Sequence, residues 1–243
     1  MTDVSIVIPM KNESENVALL LDEIAAACAG QDYEIIIVDD GSSDDTAEQV
    51  RAAMVAHPTL RLLQHPQSAG QSAGVHSGVL AAKGAIVCTL DGDGQNPPAE
   101  LPKLFMPLLQ DKTGRLGLVA GQRVGRQDTL SKKLASRFAN ALRARILRDG
   151  TRDTGCGLKG FRRDAFLRLP YFNHMHRYLP ALFKRDGWEV ALVDVSHRER
   201  HAGRSKYNNL QRALVGIYDL IGVSWLIQRR KTAQPVEAGR PNG

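Results

Sequence analysis

Short, uninterrupted apolar runs alternate along this chain with segments whose apolar residues recur every three or four positions. Residues 4–9, 33–40 and 86–90 are runs of the first kind, rich in Ile and Val, and they predict strands buried on both faces. Residues 60–64, 116–121 and 189–195 predict three more strands, and residues 153–166 read as a glycine-rich turn entering another. Val17, Leu20, Leu21, Ile24 and Cys28 keep to one helical face, with Asn12 or Ser14 to cap its start and Gly30 to end it. A second helix is expected from Ser43 or Asp44 to His57, with Ala47, Val50 and Met54 inward. Gly70, Gly74 and Gly78 share one face of a third, where small residues favour close packing on a sheet, direct phosphate contact at the helix start being the alternative; Leu101, Leu104, Phe105 and Leu108 mark a fourth. Strands alternating with helices in this way predict an α/β fold with a mostly parallel sheet flanked by helices.

Further along, Leu130, Leu134, Phe138, Leu142 and Ile146 outline a helix whose other faces carry Lys132, Lys133, Arg137, Arg143 and Arg145. Residues 210–227 are apolar but interrupted by Gln211, Arg212 and Asp219, too broken to span a bilayer. With Tyr218, Trp225 and the basic residues 229–231, this segment fits an amphipathic helix in a membrane interface, a core-packed or oligomer-forming helix being the alternative. Beyond Thr232 a disordered tail is expected.

Chemistry concentrates where the strand at 86–90 stops, in D-G-D-G-Q-N-P-P. Asp91 and Asp93 then sit at a strand's carboxyl end, where open α/β sheets place ligands, and oxygen donors of this kind suit Mg²⁺ or Mn²⁺ on a diphosphate. An EF-hand loop is excluded, because its sixth and twelfth positions fall on Asn96 and Pro102. A solvated turn is the plainer alternative. No G-x-G-x-x-G fingerprint occurs. Cys156 reads as a small packed residue, and the His174/His176 pair as packed or hydrogen-bonded groups more readily than metal ligands.

Composition narrows the partners. The 243 residues are 43% hydrophobic, enough for one core, and their net charge is +6. Residues 123–163 hold twelve Lys/Arg against three acids, which implies an anionic partner. Aromatic residues make up only 5% and no nucleic-acid motif appears, so a phosphate-bearing substrate or membrane surface is preferred over nucleic acid. Three scattered cysteines and no signal or spanning segment give a cytoplasmic expectation.

Six segments in order, I-P-M-K-N-E, V-D-D-G-S-S-D, D-G-D-G-Q-N-P-P, G-Q-R, D-T-G-C-G-L-K-G-F-R-R and R-H-A-G-R-S-K-Y, resemble the family 2 inverting glycosyltransferases of GT-A fold. Within that family the chain is most similar to the dolichol- or polyprenyl-phosphate hexosyltransferases, the dolichol-phosphate mannose synthase type. The resemblance implies a GT-A domain over residues 1–207, then a C-terminal amphipathic helix at 208–231 and a tail at 232–243. It implies that Pro9, Lys11, Glu13, Val38 and Asp40 hold the nucleotide, Lys11 standing where the family usually has an aromatic residue. Asp91, Asp93 and Gln95 are then the ligands of Mg²⁺ or Mn²⁺, with Gly92 close to the donor. Arg123, Arg200 and Lys206 would contact the diphosphate or lipid phosphate, with Lys132 and Ser136 as further acceptor contacts. The implied reaction moves a hexose from GDP-mannose or a UDP-sugar to a polyprenyl or dolichyl phosphate at the inner face of the cytoplasmic membrane. Membrane contact would be peripheral, through the basic and C-terminal helices, and a homo-oligomer is compatible with it. A saccharide or protein hydroxyl acceptor needs a base, for which Asp153 is the best residue; a nucleotidyltransferase or a non-catalytic binding subunit are more distant readings.

Overall fold

The structure, a computed structural model, describes residues 2–124, 143, 145–198, 209–230 and 233. Seven strands form one sheet: β1 (Val4–Met10), β2 (Tyr33–Asp39), β3 (Leu60–Gln64), β4 (Ile86–Thr89), β5 (Leu116–Arg123), β6 (Lys159–Arg162) and β7 (Glu189–Val195). Their order is β3-β2-β1-β4-β6-β5-β7. All neighbours run parallel except at β6, which is antiparallel to both β4 and β5. The chain leaves β5 at Arg123 on the carboxyl edge and re-enters at Lys159 on that same edge, so β6 has to run backwards.

The apolar strands are buried twice over, as their unbroken hydrophobicity requires. Ile6, Ile8, Ile35, Ile37, Cys88 and Val119 face one core, while Val7, Ile36, Val38, Val87, Leu118 and Phe161 face the other. The first core is covered by α1 (Val17–Ala27), α2 (Thr46–Ala53) and α4 (Leu101–Gln110). The second lies under α3 (Gln71–Ala81), α5 (Arg163–Leu167), α6 (Leu179–Arg185) and α7 (Asn209–Gln228). The glycine row of α3 does pack closely: a Cβ at Gly74 would lie 2.8 Å from Pro9 Cβ, and one at Gly78 would overlap Val7.

Several sequence expectations need correction. α1 begins at Val17 with no side-chain cap; Asn12 and Ser14 instead tie their loop to residues 42–44. α2 stops at Ala53 rather than His57, and Met54 is exposed. Among the described residues no helix is long and apolar enough to cross a membrane. Most of the predicted helix around 130–146, the stretch 199–208 and nearly all of the tail lie outside the described residues.

Candidate active site

Six strands deliver their carboxyl ends, and β6 its amino end, to one edge of the sheet. That edge collects Asp39 and Asp40 after β2, Asp91 and Asp93 after β4, Arg123 at the end of β5 and the turn 153–158 before β6. It is the place where such sheets bind ligands.

On the first flank two loops are laced together. Asn12, in the left-handed region at φ 57°, accepts from Ser43 N at 2.8 Å, and its own N–H donates to Ser42 Oγ at 2.9 Å. Glu13 N donates to Thr46 Oγ1 at 3.0 Å. Asp40 faces inward and accepts four hydrogen bonds, from His65 Nδ1 (2.7 Å), Ser68 Oγ (2.7 Å), Ala69 N (2.8 Å) and Gly70 N (2.8 Å). Burial opposes its charge, but these donors outweigh burial and hold its pKa at about 2. Asp40 thereby fixes the entry to α3. Val38 is wholly buried against α3, so its side chain does not face the cleft, whereas Lys11 is exposed at the rim.

At the centre, Asp91 accepts from Gln71 Nε2 at 2.6 Å and from Asn96 Nδ2 at 3.0 Å. Burial pushes its carboxyl above the ordinary range, and the neighbouring Asp93 charge adds to the effect. Two carboxylates held together at this cost fit a divalent cation, which would relieve both burial and repulsion. With the Gln95 amide the two carboxylates would make up an incomplete hard-oxygen set; Mg²⁺ or Mn²⁺ sites of that kind take their remaining ligands from phosphate and water. Gly92 lies against Met10, where a Cβ would sit 2.6 Å from Cγ. Asn96 Oδ1 is buried without a hydrogen-bond partner among the described residues.

On the far flank Arg123 grips Asp153 with Nε at 2.5 Å and Nη2 at 2.9 Å. Burial works against the guanidinium, but Asp153 outweighs it and raises the Arg123 pKa. Gln122 Oε1 sets this turn by accepting from Arg152 N and Asp153 N at 2.8 and 3.0 Å, which explains the G-Q-R segment. Arg200, Lys206, Lys132 and Ser136 lie outside the described residues. The segment leading to Arg200 is nonetheless placed: Arg198 N donates to Gln95 O at 2.9 Å, and the Arg198 guanidinium holds Glu23 at 2.9 and 2.7 Å.

Sequence reasoning missed Gln71, Asn96, Gly157 and Lys159. Gly157 lies so close to Asp91 that a Cβ there would overlap the carboxyl. Lys159 is buried beside it, donating to Cys156 O, and burial pulls its ammonium below the ordinary value. Only Asn96 carried a local signal, since it falls inside D-G-D-G-Q-N-P-P. Cys156 is a buried free thiol raised by burial. His176 Nδ1 meets Ser72 Oγ at 2.7 Å and His174 Nδ1 meets Asp219 at 3.0 Å, so both histidines are hydrogen-bonded groups.

The family model for glycosyl transferase family 2 matches residues 5–169. The undecaprenyl-phosphate 4-deoxy-4-formamido-L-arabinose transferase of Photorhabdus laumondii is 35% identical over 223 residues, covering 90% of this chain and 66% of that protein. The Yersinia enterocolitica protein of the same name is 36% identical with the same coverage, so the chain spans about two thirds of the length of these curated relatives. Glucosyl-3-phosphoglycerate synthase from Mycobacterium tuberculosis, solved with Mn²⁺, UDP-glucose and glycerol 3-phosphate, shares the fold with a TM-score of 0.66 at 22% identity, over 93% of this chain and 79% of that one. The same enzyme with Mg²⁺ and UDP gives a TM-score of 0.68 at 20% identity, over 93% and 78%. The fold is thus that of the GT-A glycosyltransferases, and the chain belongs to glycosyl transferase family 2.

Proposed function

We propose that this chain transfers a sugar from a nucleotide-diphosphate donor to the phosphate of a polyprenyl lipid, in one inverting displacement at the inner face of the cytoplasmic membrane. The observation that carries the reading is the Arg123–Asp153 pair. A hydroxyl acceptor must lose its proton to a placed base, and Asp153, the best base in the sequence, is engaged on both oxygens by Arg123. A phosphate monoester is already anionic near neutral pH and needs only positioning. The relatives' names pair undecaprenyl phosphate with a five-carbon sugar, so a hexose is not required of the donor.

In this reading Pro9, Lys11, Glu13 and the loop held by Asp40 receive the nucleotide. Asp91, Asp93 and Gln95 would hold Mg²⁺ or Mn²⁺, which when bound neutralises the departing diphosphate. Gln71 and Asn96 orient Asp91. Arg123, with Arg200 and Lys206 further along the sequence, supplies positive charge to the donor and acceptor phosphates.

The test is radiolabelled transfer from a panel of GDP- and UDP-sugars, a UDP-linked aminopentose included, into short polyprenyl phosphate, with extraction of the lipid phase. Metal-dependent label in the lipid is expected with one donor, lost on chelation and lost in Asp93→Ala with the fold retained. No label from any donor, while metal-dependent nucleotide binding persists, would overturn the lipid-phosphate acceptor. Turnover retained by Asp93→Ala at high Mg²⁺ would overturn the metal assignment.

A further inference from the structure

An open cavity of about 470 Å³ lies where the carboxyl ends of α6 and α7 meet residues 145–148. Its wall carries Arg145, Arg148, Lys184, Arg185 and Arg230, with Ile227 among its apolar lining. The protein uses its own bonds to fix three of these cations. Lys184 Nζ donates to Asp149 O at 2.9 Å, Arg185 Nε to Leu226 O at 3.0 Å, and Arg230 Nη1 to Arg185 O at 2.9 Å. Carbonyl oxygens orient a cation without cancelling its charge. Among the described residues the acid facing this group is Asp186, paired with Arg185 at 2.9 Å, while Asp149 is already taken by buried Arg143. Among the described residues five cations stand against one acid, which makes the cavity positive, and Arg145 and Arg148 make no ion pair there. Arg148 also holds a left-handed φ of 51°, an uncommon conformation for a long side chain that a functional position can justify.

Beside this mouth runs the outer face of α7. Val223 points into the core, whereas Ile217, Tyr218, Ile221 and Trp225 are more than half exposed in one row. Apolar and aromatic side chains next to clustered Arg and Lys are the composition of a helix lying in a lipid interface. A soluble phosphate would leave the row in water, and nucleic acid would not cover it. A second copy packed symmetrically would set the same cations against themselves.

We propose that this cavity is a binding site for the phosphate headgroup of anionic bilayer lipids, and that it docks the outer face of α7 on the membrane. The proposal deepens the membrane-face reading above by naming the surface that reaches the bilayer. Vesicle binding is measured without donor or acceptor, so its failure leaves the transferase reading intact.

The experiment is co-sedimentation of the full chain with phosphatidylcholine vesicles, alone or containing about 30% phosphatidylglycerol, with Trp emission followed in parallel. Binding to the anionic vesicles with a blue shift from Trp225 is expected, weakening as salt rises. Each basic residue at an anionic surface contributes about fivefold, so Arg148→Gln/Arg230→Gln should weaken binding roughly 25-fold. Trp225→Ser should weaken it through the apolar row instead. Lys83→Gln/Lys112→Gln removes the same charge from exposed positions elsewhere and should bind nearly as the unaltered chain does. An equal loss in that control would reduce the effect to net charge and overturn the site. No binding to anionic vesicles would overturn the lipid assignment. Transfer to a short water-soluble acceptor should be unchanged in Arg148→Gln/Arg230→Gln, and its failure there would show that the cavity serves the reaction rather than docking.

Discussion

Asp91 owes its position to three residues from three different parts of the chain: Gln71 at the start of α3, Asn96 in its own loop and Gly157 before β6. Gly157 contributes by lacking a side chain. Its carbonyl is pinned by Thr89 Oγ1 at 2.8 Å, so the main chain cannot withdraw if a methyl group is added. Gly157→Ala should therefore push the Asp91 carboxyl aside by about an ångström, a displacement that costs on the order of 100-fold in turnover. The midpoint of thermal unfolding should move little, because Asp91 lies at the cleft rather than in the core. Transfer rates set beside a melting curve check this, and near-normal turnover would show that Asp91 can move without loss. The acids themselves were legible in the sequence because they end an apolar run. Gln71 and Gly157 were not, since each acquires its role only when segments 20 and 66 residues from Asp91 fold against it, and neither type of residue announces a ligand on its own.

Between elements, the decisive joint is the one Asp40 makes from the end of β2 to the loop that starts α3. It satisfies the main-chain N–H groups of Ala69 and Gly70, while His65 bridges Asp40 to Ser77 on the helix itself at 2.9 Å. Because the folded-state pKa is depressed from 3.8 to about 2, this carboxylate adds stability above pH 4, which is lost as pH falls through about 2. The shift corresponds to about 2 kcal/mol. Asp40→Asn should lose a stability of that order at pH 7 by chemical denaturation, and the gap to the unaltered protein should close near pH 2. A gap that persists unchanged in acid would place the effect in shape rather than charge. Helix and strand identities were readable from periodicity, and the inward faces of α1 and α4 fall on the residues expected. Helix ends were less readable. Asn12 looked like a cap because Asn caps helices, but its side chain was claimed by Ser43 across the loop, a tertiary partner that periodicity does not reveal.

At the scale of the whole molecule, strand direction was only partly legible: apolar runs separated by helices imply a parallel sheet, yet nothing local in K-G-F-R says that β6 runs the other way. Its reversal brings the turn 153–158 over the carboxyl edge, and with it Asp153 onto Arg123. Among the described residues, acids around the cleft are engaged in turn. Asp39 accepts from Ser42 N, Asp40 from four donors, Glu100 from Ser196 while ion-paired with Lys103, Glu23 from Arg198, Asp91 from Gln71 and Asn96, and Asp93 from Gln95 N. Carboxylates so engaged are poor candidates for removing a proton, and a substrate that arrives as an anion asks for none. Asp153→Asn separates the two cases. Leaving the half-buried Arg123 unpaired should cost about 3 kcal/mol of stability. With a phosphate acceptor, kcat/KM should fall below about pH 6, where the acceptor takes up its second proton, and this limb should stay in place in the variant. With a hydroxyl acceptor and Asp153 as base, the acid limb belongs to Asp153, and Asp153→Asn would abolish turnover together with the limb. A pH–rate profile of the variant, taken at a temperature where it remains folded, therefore tells whether Asp153 anchors Arg123 or takes the proton.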